Sequence, residues 1–207
     1  MTSPRFYLFI FLLFAVVYIG TLPLQPYPAD FIVKAVPAIS LSVLALTKVP
    51  GRQGKLLFAA LLFCAAGDAA LKFGEGNLTL GLGFFLVGQV IYAITFYRNS
   101  RTQTSRIPIV ILLIAYAVGM ALVLAPSLED MALPVYVYIT AITAMGICAA
   151  LRAGSKVVLY GAIFFIASDS ILAANEFLYK VPTSDYLVMV TYYIAQVLIV
   201  LGFIREE

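Results

Sequence analysis

"FFIASDSILAANEF", residues 164–177, is an apolar run with an ionisable aspartate, Asp169, near its middle. About a hundred residues upstream, "LFCAAGDAALKF" (62–73) repeats the arrangement around Asp68. Each run lies within a stretch long enough to cross a bilayer core, which takes about 17–25 apolar residues. Reading outward gives eight such stretches: 6–22, 31–47, 56–73, 78–97, 107–125, 132–151, 157–175 and 186–204. Together they use nearly all of the 207 residues, so no segment is left for a soluble catalytic or binding domain. The composition agrees: 63% of residues are hydrophobic and 11% charged, whereas roughly a quarter of a soluble domain is charged. The expected fold is an all-α polytopic membrane helix bundle of eight transmembrane helices, forming one integral membrane domain over 1–207.

The first stretch, "RFYLFIFLLFAVVYIG", has a longer apolar core than a signal peptide and no small-x-small cleavage pattern after it. It is read as the first helix. Charge placement orients the bundle. Arg5, Lys48, Arg52, Lys55, Arg98, Arg101, Arg106, Arg152, Lys156 and Arg205 occupy the N-terminus, alternate loops and the C-terminus, ten of the thirteen basic residues on one side. Asp30, Glu75, Glu129, Asp130 and Asp185 occupy the opposite loops, with Lys180 as the basic exception. The positive-inside rule places both termini in the cytoplasm, as an even helix count requires. In a bacterial cell the host would be the plasma (inner) membrane.

The net charge of +3 therefore reports topology anchors among lipid headgroups. No basic tract joins aromatics, so no nucleic-acid partner is expected. Cys64 and Cys148 sit in expected helices at different depths and read as buried small hydrophobes. "GLGFFLVG" lacks the GxGxxG spacing and reads as close helix packing. "NLT" at 77–79 matches a glycosylation sequon by pattern alone. With no histidine, Ser-His triads and His-based metal sites are excluded. No metal or organic cofactor is implied, and nothing fixes the oligomeric state.

Counting along the helices puts the polar residues in one layer. Asp68 lies thirteen residues after Lys55, and Asp169 thirteen after Lys156, so both sit roughly 20 Å from the cytoplasmic end. "GQVIYAITF" (88–96) aligns with "AQVLIVLGF" (195–203), setting Gln89 against Gln196, each nine residues before an arginine. Helices three and four thus resemble seven and eight, which predicts a 4+4 parallel internal repeat with halves of approximately 1–105 and 106–207. Lys34, fourteen residues before Lys48, reaches the level of the aspartates. Tyr92 and Tyr192, one turn from the glutamines, can present hydroxyls to the same region. Lys72 is expected to snorkel outward. Asn175 and Glu176 end helix seven, where a solvated helix end and a substrate contact are both open.

A charge at the centre of a transmembrane helix costs about 2.5–3.5 kcal/mol on insertion scales, so three are expected to have a use. The plain alternative is a polar network that glues helices. Two aspartates sharing a pocket with one lysine can divide into a protonated acid and an ionised partner. That pair suits acid-catalysed hydrolysis through an oxocarbenium-like state. The same parts suit a proton-coupled transporter or channel, and a non-catalytic lipid-binding scaffold is a third reading. Transporters often break their helices with Gly or Pro at the site. Here only Gly67 and Pro37 lie nearby, which disfavours transport.

"AAGDAAL", "GLGFFLVGQVIYAITF", "FFIASDSILAANEF" and "YYIAQVLIV" together resemble the YhhN family of multi-span, lysoplasmalogenase-like proteins, from about helix two to the end. The Gly67-Asp68 pair, the Ser168-Asp169 pair with Asn175-x-Phe177 downstream, Lys34-x-x-Pro37 and the Gln196 helix carry the resemblance. It implies a hydrolase of the vinyl ether bond of lysoplasmalogens, releasing a fatty aldehyde and glycerophosphoethanolamine or glycerophosphocholine. The partners implied are a lysophospholipid substrate and membrane lipids. Asp68 and Asp169 would be catalytic, with Lys34, Gln89, Tyr92, Ser168, Asn175, Tyr192 and Gln196 binding or supporting. The family pattern carries a histidine where Gln89 stands, and its absence throws more weight on the aspartates.

Overall fold

The computed structural model describes residues 3–72, 78–97 and 104–206. Arg98, Arg101, Glu75 and the asparagine of the sequon lie outside these residues. Eight long helices follow one another: α1 (Pro4–Thr21), α2 (Asp30–Lys48), α3 (Gly51–Ala70), α4 (Leu78–Tyr97), α5 (Ile107–Leu124), α6 (Ala132–Leu151), α7 (Lys156–Phe177) and α8 (Ser184–Ile204). All eight are long and apolar enough to cross a membrane, and no strand occurs among the described residues. The chain is an integral membrane protein.

Local chemistry explains the ends. Ser3 accepts the Arg5 amide at 3.3 Å and Pro4 opens α1, while Ser155 accepts the Val157 amide at 3.2 Å to start α7; both are side-chain caps for otherwise unpaired amides. α3 begins five residues before the expected 56. Pro50 stops α2, and Gly51 takes φ +70°, where a side chain is strained, so the chain turns at once into the next helix. Pro37 interrupts the ladder inside α2. Tyr193 on α8 donates to the Lys34 carbonyl at 3.1 Å, the kind of outside donor that lets membrane helices keep prolines.

α2 packs on α1 and α3, α3 on α4, and α7 along α8; α4 against α6 and α2 against α8 join the first four helices to the last four. Small residues set the closest crossings, as expected where lipid is as apolar as leucine and no hydrophobic drive presses helices together. A Cβ on Gly88 of α4 would stand 3.3 Å from the Ala60 carbonyl of α3, and one on Gly161 of α7 would stand 2.9 Å from the Ala195 carbonyl of α8. Ala60 and Gly161 stand at the same sequence offset as Asp68 and Asp169, and Gly88 and Ala195 at that of Gln89 and Gln196. α5 is the outlier. Only Leu124 of it is buried, and side chains such as Leu112 and Leu122 are exposed on the outside of the bundle.

The core is aromatic. Phe165 meets Tyr192 edge-on at 5.5 Å, Tyr92 stacks on Phe96 at 5.6 Å, and Phe96 on Phe203 at 5.8 Å. Edge-on and offset pairs of this kind add attraction beyond their area. They fill the middle of the bundle toward the end where α4 and α8 finish. At the opposite end, where α3 and α7 finish, the helices enclose a cavity.

Arg152 departs from expectation. Instead of anchoring at lipid headgroups it is 1% exposed, paired with Glu206 and set over the Phe203 ring at 3.9 Å. A guanidinium suits this place, since it is weakly hydrated and stacks on aromatic faces. Glu206 also accepts the Ser155 amide, tying the α6–α7 loop to the end of α8.

Candidate active site

The cavity holds about 490 Å³ and is lined by residues of all eight long helices. α3 brings Asp68 to it, two residues before the helix ends at Ala70. Gly67 makes this approach possible, because a Cβ there would meet the Phe85 ring at 2.7 Å. α7 brings Asp169 and Ser168, α2 brings Lys34, and α8 brings Tyr192. The layer expected from counting residues is thus gathered around one space.

The two carboxylates stand in different company. Asp68 is 2% exposed. Lys34 Nζ lies 3.4 Å from its Oδ1, and the Tyr192 hydroxyl donates to its Oδ2 at 2.7 Å. Asp169 accepts a hydrogen bond from the Tyr138 hydroxyl on α6. Among the described residues no cation lies within ion-pair distance of Asp169. Each aspartate therefore has its own tyrosine, and only one has an ammonium.

Below the tyrosines lie the two glutamines, both fully buried. Gln89 sits beside Tyr138, and Gln196 beside Tyr192 and Cys64. Gln196 Oε1 accepts the Tyr92 hydroxyl at 2.6 Å. Gln89, Gln196 and Tyr92 support this layer from beneath and do not line the cavity. Ser168 lines it, but its hydroxyl is engaged with the Val188 carbonyl at 3.0 Å, joining α7 to α8. Asn175 lines the cavity end, where its Oδ1 accepts the Val181 amide at 3.1 Å and its Nδ2 donates to Glu176 at 3.1 Å.

Two residues escaped the sequence reading. Tyr138 lies in an apolar run of α6 among several tyrosines, and nothing in its spacing marks it. Lys72 was expected to snorkel; instead it turns inward. Its ammonium pairs with Asp30 at 3.3 Å, donates to Gln25 and lies 5.5 Å over the Tyr18 ring. Buried Asp30 supplies the countercharge, and a visible signal was its place in the first turn of α2. Among the described residues no group of three potential metal ligands forms.

The YhhN family model matches residues 29–203. The chain belongs to the YhhN family. Relatives of this YhhN protein include a lysoplasmalogenase of Mycobacterium bovis, 29% identical over 179 residues that cover 82% of this chain and 68% of the relative. The human lysoplasmalogenase TMEM86B is 33% identical over 178 residues, covering 84% and 75%. Human lysoplasmalogenase TMEM86A is 34% identical over 168 residues, covering 73% and 66%. No solved structure matches the chain.

Proposed function

We propose that this YhhN protein is a membrane-embedded lysoplasmalogenase. It would cleave the vinyl ether bond of a lysoplasmalogen by paired-aspartate chemistry, with both termini in the cytoplasm. One observation carries the reading: Asp68 and Asp169 face one cavity, one with an ammonium partner and the other without. The names of the relatives support the substrate class.

A cation neighbour favours an ionised carboxylate, and an apolar wall without one favours the neutral acid. Asp169 is therefore assigned as proton donor and Asp68 as the ionised partner. Protonation of the outer alkenyl carbon by Asp169 draws the π electrons to that carbon and leaves an oxocarbenium ion at the carbon bearing oxygen. The Asp68 carboxylate stabilises this cation, and Lys34 and Tyr192 hold the carboxylate in place. Water adds to the cation and gives up a proton to a carboxylate. The hemiacetal hydroxyl gives its proton to the carboxylate as the C–O bond to the glycerol oxygen breaks, that oxygen takes a proton from the protonated carboxyl, and the aldehyde leaves. One water is consumed and the carboxyls end as they began. Tyr138 orients Asp169, with Gln89 beneath it.

The test is aldehyde release from a lysoplasmalogen by protein in lipid nanodiscs, run in deuterated water and trapped by reduction. Carbon protonation places one deuterium beside the carbonyl carbon. Asp169→Asn should lower the rate by about 10²–10⁴, the usual share of a general acid. A well-folded parent that releases no aldehyde would remove the assignment, and proton-coupled flux in liposomes would then be sought.

A further inference from the structure

The cavity continues past the two aspartates to the end where α3 and α7 finish. Its polar lining there is Lys72 and Gln25 on one side, and Asn175, Glu176 and Asp185 on the other. The mechanism uses none of these. We propose that this end is a zwitterionic head-group site, in which Lys72 binds a phosphodiester and Glu176 with Asp185 binds an ammonium beyond it. The proposal rests on the hydrolase reading for the chemistry beneath it.

Lys34 lies deep in the bundle and is committed to Asp68, so it is not the phosphate residue. Lys72 is available. An ammonium has three donor hydrogens. Asp30 and Gln25 hold the ammonium beside the Tyr18 ring at the cavity wall, where the Lys72 side chain keeps 20% exposure.

Spacing supports the match. Lys72 follows Asp68 by four residues, an axial step of about 6 Å. Glu176 follows Asp169 by seven, and Asp185 precedes Tyr192, the partner of Asp68, by seven, so both acids stand about 10 Å beyond the reacting layer. In a lysoplasmalogen, five bonds separate the vinyl ether oxygen from phosphorus and four more reach the amine nitrogen. At about 1.2 Å per bond in an extended chain, these are about 6 and 11 Å.

Charge sets the selectivity. Lys72 and Asp30 neutralise each other, so the end of the cavity carries the negative charge of Glu176 and Asp185. A head group bearing phosphate alone adds like charge there. A phosphoethanolamine brings its own cation to the two acids.

The experiment is calorimetric binding to the intact protein in neutral nanodiscs. Its probes are two saturated alkyl ether lysolipids, which have no vinyl bond to cleave, one with a phosphoethanolamine and one with a phosphate head. The parent should bind the first about tenfold more tightly, as two partly exposed ion pairs allow, and the ratio should shrink with salt. Glu176→Gln with Asp185→Asn should bring the ratio near one. Lys72→Gln should weaken both probes several-fold, and Lys72→Arg should restore them. Equal binding by the parent, a ratio that survives the double substitution, or unchanged binding by Lys72→Gln would each overturn the site. A retained ratio in a protein that releases no aldehyde would leave the head-group site standing and remove the hydrolase reading alone.

Discussion

Replacing Lys34 with methionine should expose how much the bundle depends on one buried ion pair. The Lys34 side chain is 9% exposed and that of Asp68 is 2%, with 3.4 Å between the charged atoms. Removing one partner of such a pair leaves an uncompensated charge, at about 3–5 kcal/mol. The Tyr192 hydroxyl on Asp68 offsets part of this, as a hydrogen bond to a charged group contributes about 1.5–3 kcal/mol. We therefore expect Lys34→Met to lose about 2–4 kcal/mol. Methionine fills similar volume, so cavity effects stay small. Lys34→Met with Asp68→Asn removes both charges and should be less destabilised than Lys34→Met alone. The coupling across the double-mutant cycle should be about 2 kcal/mol. Reversible unfolding in mixed micelles, followed by circular dichroism, measures all four corners. Aldehyde release by Lys34→Met should fall about 10²-fold, because Asp68 is no longer held as the carboxylate facing the oxocarbenium. If Lys34→Met unfolds with the parent, or if the two substitutions simply add, the pair is not desolvated and the assignment of Asp68 as the ionised partner fails.

Tyr138→Phe removes the hydroxyl that donates to Asp169; turnover should drop at least tenfold with a stability loss of about 1 kcal/mol, and equal losses in Tm-matched controls would argue against a positioning role. Tyr92→Phe strands the buried Gln196 Oε1 outside the cavity, so the expected change is about 1–3 kcal/mol in unfolding free energy, with turnover altered far less than by Tyr138→Phe. Gly161→Ala would place its Cβ 2.9 Å from two backbone atoms of α8 and should destabilise by about 1–3 kcal/mol. Gly83→Ala meets nothing within 4 Å and should stabilise by up to about 1 kcal/mol; the opposite order in thermal scans would contradict the crossing described above.

The sequence by itself determined depth. A helix rises by a constant step, so counting from the basic loop residues places Lys34, Asp68 and Asp169 in one layer. The eight spans followed from the same regularity, since lipid demands a minimum apolar length. Even the departures at the span ends were local: Pro50 and Gly51 advanced α3 because a turn there needs φ above zero.

Only the tertiary structure decided azimuth. These helices are apolar on nearly every side, and lipid accepts leucine as readily as a protein core does, so no amphipathic stripe shows which face looks inward. Hence Tyr138 could not be told from the tyrosines near it, and Lys72 turned toward Asp30 and Gln25 where outward snorkelling was expected. Arg152 left the headgroups for Glu206 and Phe203. The different partners of the two aspartates were hidden for the same reason: equal depth in the chain says nothing of which carboxylate meets the ammonium. Packing at Gly67, Gly88 and Gly161 rotates the helices into register, and that rotation gives Lys34 to Asp68 and leaves Asp169 to Tyr138.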